Sequence, residues 1–388
     1  MRIHSKLPQV GTTIFTVMSR LAEQYGALNL GQGFPDFEPP AALLEALARC
    51  AAQGRNQYAP MAGIPALREQ IASKLRRDYG RALDPESEIT ITSGATEAIF
   101  DVVAALVGAD DEVILLDPSY DSYGPAVALQ GARARHVPLD AEHFSIDFER
   151  LRAALTPRTR LLVINFPHNP SGAVLGAEDL DRLAGLLRDT SCWLLSDEVY
   201  EHIVFDGGAH QSVLRHPELA ERSLQVGSFG KAYHATGWKV GWIAAPRALT
   251  EEVRKVHQFV TFSTNTPAQH ALAEVLVSAP EHLHELSGFY QRKRDLFRSL
   301  LSSSRLQFPS TRGTYFQLAD YSALSRLPDQ AFAERLVREA GVAAIPISGL
   351  YQAGSSRQIV RFCFAKGNDT LERACERLLR FEEKLLNE

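Results

Sequence analysis

From about residue 89 the chain alternates short, almost wholly apolar runs with longer helical patterns, and few folds accommodate that alternation. The runs are EITIT (88–92), EVILLD (112–117), RLLVINF (160–166), CWLLSD (192–197), SLQVGS (223–228) and VGWIAA (240–245). Helical patterns intervene at 95–107, 121–131 and 177–189. Runs apolar on nearly every residue suit strands buried on both faces, the habit of a parallel sheet sandwiched by crossover helices. The chain is therefore read as α/β, with a mainly parallel central sheet.

Helical patterns at 249–258 and 267–278 follow, then one long amphipathic stretch from 281 to about 303. The remainder mixes strand candidates at 314–319, 342–347 and 358–363 with helices at 329–340 and 369–385, as in a smaller α+β unit. Residues 1–40, rich in Gly and Pro and without clear periodicity, read as an arm contributing to that unit. The expected division is arm 1–40, large domain 41–285 and small domain 286–388.

In an open α/β sheet the ligand lies at the carboxyl ends of the strands, so these ends are read as a site. ITITSGATEAI sets Ser93, Gly94, Ala95 and Thr96 between strand and helix, where small residues leave N–H groups and the positive helix end facing an anion. The same stretch also reads as a routine capped turn. INFPHNPSG ends a strand in Asn169 and reads equally as a turn. LLSDEVYEH runs an apolar strand into Asp197, with Tyr200 three residues on. Ionised and buried, Asp197 needs a cationic partner; otherwise it is a helix cap. VGSFGKAYHATGWKVGW carries Lys231 and Lys239. A desolvated lysine can act as nucleophile or proton carrier, although a lone lysine in a turn is usually solvated. A Walker A loop is excluded, because Gly227 and Gly230 stand too close and Ala232 replaces Ser/Thr.

Lys and Arg number 41 against 46 Asp and Glu, a formal charge of −5, and no run of five like charges occurs. No nucleic-acid or anionic-membrane partner is expected from such a chain. MRIHSKLPQVG carries no apolar leader segment and no stretch of about 18 apolar residues follows, so a cytoplasmic protein is expected. Cys50, Cys192, Cys363 and Cys375 form neither a CxxC pair nor a Cys/His cluster. They read as buried thiols in a reducing compartment, with no metal site.

An anion cradle, a buried carboxylate, an Asn, a Tyr and a lysine together suit the phosphate, pyridine nitrogen, phenolic oxygen and aldehyde of pyridoxal 5'-phosphate. At this point the chain resembles the fold type I, class I/II pyridoxal-phosphate aminotransferases, from LNLGQGFPDF (28–37) to IVRFCFA (359–365). The separations Asn169 to Asp197 (28), Asp197 to Lys231 (34) and Lys231 to Arg361 (130) fall within that family's pattern. QGFPDF, NQYAPMAG, DPSYDSY, HNPSG, SDEVYEH, RKVHQ and NTPAQ resemble the kynurenine aminotransferase/glutamine transaminase K branch, most of all its bacterial methionine aminotransferases. The broad class has an arginine where this chain has Lys239; the branch is similar to this sequence in using lysine.

The resemblance implies roles. Lys231 would carry the cofactor and then the proton, Asp197 would pair with the pyridine nitrogen, and Asn169 and Tyr200 would bond the phenolic oxygen. Ser228, Lys239, Thr96 and the Gly94–Ala95 backbone would hold the phosphate, with Tyr120 stacked on the ring. Arg361, with Asn169 and the Gly33 backbone, would take the substrate α-carboxylate. A homodimer with shared sites is implied, Tyr58 reaching the neighbour's phosphate and Phe262 and Ser263 its substrate pocket. Phe15, Phe34 and Tyr120 would make that pocket aromatic, and no second arginine stands in a motif position. The implied reaction moves the amino group of an apolar, thioether (methionine-like), aromatic or neutral-amide L-amino acid to a 2-oxo acid. Alternatives on the same scaffold are a kynurenine–oxoglutarate transaminase, a cysteine-S-conjugate β-lyase, and a cofactor-binding regulatory module.

Overall fold

The computed structural model describes residues 4–387. A short strand, β1 (Leu28–Asn29), precedes seven that form the central sheet: β2 (Ile89–Thr92), β3 (Glu112–Asp117), β4 (Arg133–Pro138), β5 (Thr159–Asn165), β6 (Trp193–Asp197), β7 (Ser223–Ser228) and β8 (Gly241–Ala244). Their order is β2-β8-β7-β6-β5-β3-β4, parallel except for β8, which runs against both neighbours. Alternate residues of one strand feed opposite layers of core. Val113 and Leu115 pack with Ile99, Val103 and Val253, while Ile114 and Leu116 pack with Leu180, Leu183 and Leu187. Two-sided burial is why these strands read as continuous apolar runs.

β4 departs from the sequence reading, which places no strand there. Its RARHVP sequence is polar and mostly half-buried because it closes the sheet edge with β3 as sole partner. The arm departs as well. Ile14–Tyr25 is a helix, capped by Thr13 Oγ1 accepting from Thr16 N (3.3 Å) and ended by left-handed Gly26 (φ 60°). Ile14, Phe15, Met18 and Ala22 recur on one face, with Met18 and Ala22 buried, a 3.6-residue period obscured by the interleaved polar residues. Helices Ala41–Ala52 and Pro65–Tyr79 complete the approach to the sheet.

After the helix Glu281–Leu300, β9 (Phe316–Asp320), β10 (Val342–Ala343), β11 (Ile345–Pro346) and β12 (Ile359–Cys363) follow. β11, β12 and β9 form an antiparallel sheet, whereas β10 pairs in parallel with β1 of the arm. The stretch expected as one strand at 342–347 is thus two, serving different sheets on either side of Ala344. The helix expected at 329–340 widens at Leu336–Ala340 into a π turn. Both ends of the chain meet here: Met18 and Ala22 share one core with Phe332, Val342 and Phe381.

Candidate active site

All parallel strands of the central sheet deliver their carboxyl ends to one side. Register sets those ends beside one another: Asn165 opposes Asp197 across β5 and β6, and Gly241 opposes both Thr92 and Ser228. The loops leaving them enclose a cavity of about 470 Å³, a size suited to a cofactor with a small substrate. Its walls include Phe15, Gly33, Gly94, Ala95, Thr96, Tyr120, Asn169, Asp197, Tyr200, Ser228, Lys231, Lys239 and Arg361. Thirteen residues expected from the sequence therefore converge on one space.

Phe34, Tyr58 and Phe262 do not line it. The Phe34 ring is 45% exposed and lies under the Lys366 ammonium, 4.9 Å from its centroid. Tyr58 is 81% exposed and meets the Phe262 ring edge-on at 5.3 Å, on the outside of the chain. Ser263 stays with them, its hydroxyl donating to the Ala59 carbonyl. Conversely, the cavity includes Thr13, Gln32, Asp121, Asn165, Thr236 and Phe316, for which the sequence reading has no role.

Asp197 is buried, and burial pushes its carboxyl up to about 6 against the opposing pull of the Tyr123 hydroxyl, the Val199 N–H and the Lys231 charge. Tyr123 donates to it at 2.5 Å, and Asn165 donates to its backbone carbonyl at 2.9 Å. Neither support follows from motif spacing: Asn165 reaches Asp197 through the register of β5 against β6, and Tyr123 reaches it from the start of the helix Tyr123–Leu129. Lys231 lies in a four-residue helix, Phe229–Ala232, directly after β7. Its Nζ donates to the Gly33 carbonyl at 3.2 Å, and burial lowers its ammonium to about 8.

Arg361, on β12, is 1% exposed and caged between the rings of Phe316 (4.0 Å) and Phe15 (5.1 Å). It donates to Asn169 Oδ1 and to the Gly31 carbonyl, both at 2.7 Å, while its buried Nε has no hydrogen-bond partner among the described residues. A guanidinium only donates, so the Asn169 oxygen must face it, leaving the amide NH₂ free.

The cradle at the start of helix Gly94–Leu106 is shaped for an anion. Gly94 has φ +78°, and a Cβ there would press within 3.1 Å of Lys239 Nζ; a Cβ on Gly241 would come within 2.9 Å of the Ala95 nitrogen. Bare backbone beside a lysine, a buried carboxylate, a low-pKa lysine and an arginine with an unpaired buried Nε fit pyridoxal phosphate and an amino-acid carboxylate.

The sequence profile of the family "Aminotransferase class I and II" matches residues 25–378. The chain belongs to the class I and II aminotransferases. It is 52% identical over 374 residues to methionine aminotransferase from Escherichia coli K12, covering 96% of this chain and 97% of that one. It is 40% identical to a probable N-succinyldiaminopimelate aminotransferase from Mycobacterium tuberculosis, covering 96% and 97%. The crystal structure of the Escherichia coli methionine aminotransferase superposes with a TM-score of 0.96 at 51% identity, covering 98% of this chain and 100% of that one. Aminotransferases of this fold are pyridoxal-phosphate enzymes that exchange amino groups between amino acids and 2-oxo acids, and this chain is one of them.

Proposed function

We propose that this aminotransferase takes its amino group from an L-amino acid with an uncharged side chain, a methionine-like thioether first, and passes it to a 2-oxo acid. The observation that carries the reading is the setting of Arg361. It is the one arginine among the described cavity residues, and its walls are Phe15 and Phe316. One fork for the α-carboxylate and apolar walls beyond it favour neutral side chains over dicarboxylates. The similarity to the Escherichia coli methionine aminotransferase supports the same class.

Pyridoxal phosphate, when bound, supplies a carbonyl carbon for the amino group and a ring that withdraws the electron pair left on the substrate Cα. Lys239, Ser228, Thr96 and the Gly94–Ala95 N–H groups would hold its phosphate, Tyr120 would cover one ring face, and Asp197 would face the pyridine nitrogen. The Asn169 NH₂ and the Tyr200 hydroxyl would donate to the phenolic oxygen. Lys231, whose ammonium burial lowers to about 8, gives up its proton more readily than a solvated lysine and is suited to carry the Cα proton to its new carbon. Arg361 and Gly33 would orient the substrate so that this proton points at Nζ.

Phe259 (86% exposed), Val260, Phe262 and Tyr58 are exposed apolar side chains, and Tyr58 and Phe262 meet edge-on. This supports a homodimer in which Tyr58, Phe262 and Ser263 enter the neighbour's site. The continuous seven-stranded sheet supports a large domain at 41–285, and the β1–β10 pairing supports a small one built from the arm and 286–388. Four free, buried cysteines suit a cytoplasmic setting, and no helix among the described residues is long and apolar enough to cross a membrane.

A donor panel in single turnover, following loss of the cofactor's near-visible absorption, tests the substrate class. Methionine, phenylalanine and glutamine are expected to react at least about tenfold faster than aspartate, since pocket discrimination of 1–3 kcal/mol corresponds to roughly 10- to 200-fold. Aspartate matching methionine would sink the reading. Arg361→Lys should raise KM for every donor about 100-fold with a smaller change in kcat, because a point charge replaces a two-pronged fork. An unchanged KM would remove Arg361 from the carboxylate site.

A further inference from the structure

Outside the cavity, directly behind the cradle, lies a buried cluster the reaction does not obviously use. His257 is fully buried; its Nδ1 lies 2.6 Å from Glu97 Oε1 and 3.3 Å from Asp101 Oδ2, and its Nε2 lies 2.9 Å from the Met61 carbonyl. Three ligand-type side chains within 4.8 Å invite a metal reading. Distance argues otherwise: two ligands of one tetrahedral zinc at ~2.1 Å stand about 3.4 Å apart. A separation of 2.6 Å is that of a charge-assisted hydrogen bond, so a proton joins His257 to Glu97.

Both ring nitrogens carry that proton chemistry. The Met61 oxygen can only accept, so Nε2 bears a hydrogen. Glu97 accepts the Ser93 N–H with its second oxygen, and although burial opposes it, the bond to His257 and its charge hold the Glu97 carboxyl below the usual carboxylate range, so Glu97 is the anion and Nδ1 bears a hydrogen too. Burial opposes a charged ring, but the bonds to Asp101 and Glu97 outweigh it and lift His257 to about 9. Asp101 Oδ2 faces the same ring nitrogen at 3.3 Å, but burial raises its carboxyl to about 7, so at neutral pH it adds less than a full second negative charge.

Glu97 occupies the first turn of helix Gly94–Leu106, the end that presents its N–H groups to the cavity. An uncompensated carboxylate there would repel any anion at the same helix end. We propose that His257 is a positioning residue for the phosphate cradle: its positive charge cancels Glu97, and its bond keeps Glu97 clamped on Ser93 N–H, leaving the Gly94 and Ala95 N–H groups to the phosphate. Its other bond, to Met61, ties the cradle to the 56–63 segment that carries Tyr58. This inference rests on the cofactor reading above.

The test strips the cofactor from the holoenzyme and titrates it back with pyridoxal 5'-phosphate or with phosphate-free pyridoxal, followed by absorbance. His257→Gln should weaken the phosphate form about tenfold and leave pyridoxal within about twofold. Adding Glu97→Gln to it should return affinity for the phosphate form to within about threefold of wild type. That double variant decides the matter if the single one fails to fold. Equal weakening of both ligands in His257→Gln, or no recovery in the double variant, overturns the assignment. Wild-type protein that binds neither ligand overturns the cofactor reading, and this inference with it.

Discussion

Turnover by the Lys231→Ala variant is expected to fall by about 10⁴-fold, the upper end of what one positioned proton-transfer group provides. The variant should fold as well as the parent. Its missing ammonium is buried and held down to about 8, a state that burial penalises rather than stabilises. The sign is checkable. A lysine whose folded value lies below its unfolded 10.5 burdens the fold when charged, fully below about pH 8, and that burden lifts as pH rises toward 10.5. Cofactor-free wild type should therefore gain stability from this group across that window, and the Ala variant should lack the gain. Thermal unfolding against pH reads the second effect and single-turnover transamination the first. Turnover within tenfold of wild type would remove Lys231 from the chemistry.

Asp197→Asn should be the next most damaging change, lowering kcat about 10²- to 10³-fold, the effect of losing ~3–4 kcal/mol from one buried charge pair. Asparagine preserves volume and can still accept from Tyr123, so the loss isolates charge. With burial holding Asp197 near 6, stripped wild-type protein should bind pyridoxal 5'-phosphate progressively less well below that pH as the carboxyl takes a proton. The Asn variant should keep only the shallower fall that the cofactor's own phosphate, with a second pKa of about 6, contributes. A wild-type affinity that is flat between pH 5 and 7.5 would dismiss the role.

Legibility followed burial. Strands sealed on both faces, such as Glu112–Asp117 and Thr159–Asn165, announce themselves as apolar runs. The edge strand Arg133–Pro138 does not, because solvent accepts arginine and histidine there. At the site, residues carried on strand-to-helix turns were legible from local spacing. Tyr123 and Asn165 were not: each supports Asp197 only through tertiary placement, the one from the start of the helix Tyr123–Leu129 that follows β3, the other through cross-strand register. Phe34 shows the converse limit. Its motif neighbour Gly33 reaches the cavity, but the ring one residue on turns outward to Lys366.

The arm peptide at Gly31–Phe34 offers its carbonyls to Arg361 (2.7 Å), Lys231 (3.2 Å) and Lys366 (2.8 Å). For anyone rewiring the chain, that stretch is the place not to open. A circular permutation or protease nick there would set free the oxygens that three cations lean on, although the cut lies far in sequence from every one of them. Grafting a loop after helix Ile14–Tyr25 leaves those oxygens in place, whereas grafting one after Leu30 does not. Connectivity at the front of the chain is thus part of the electrostatics of its reactive centre.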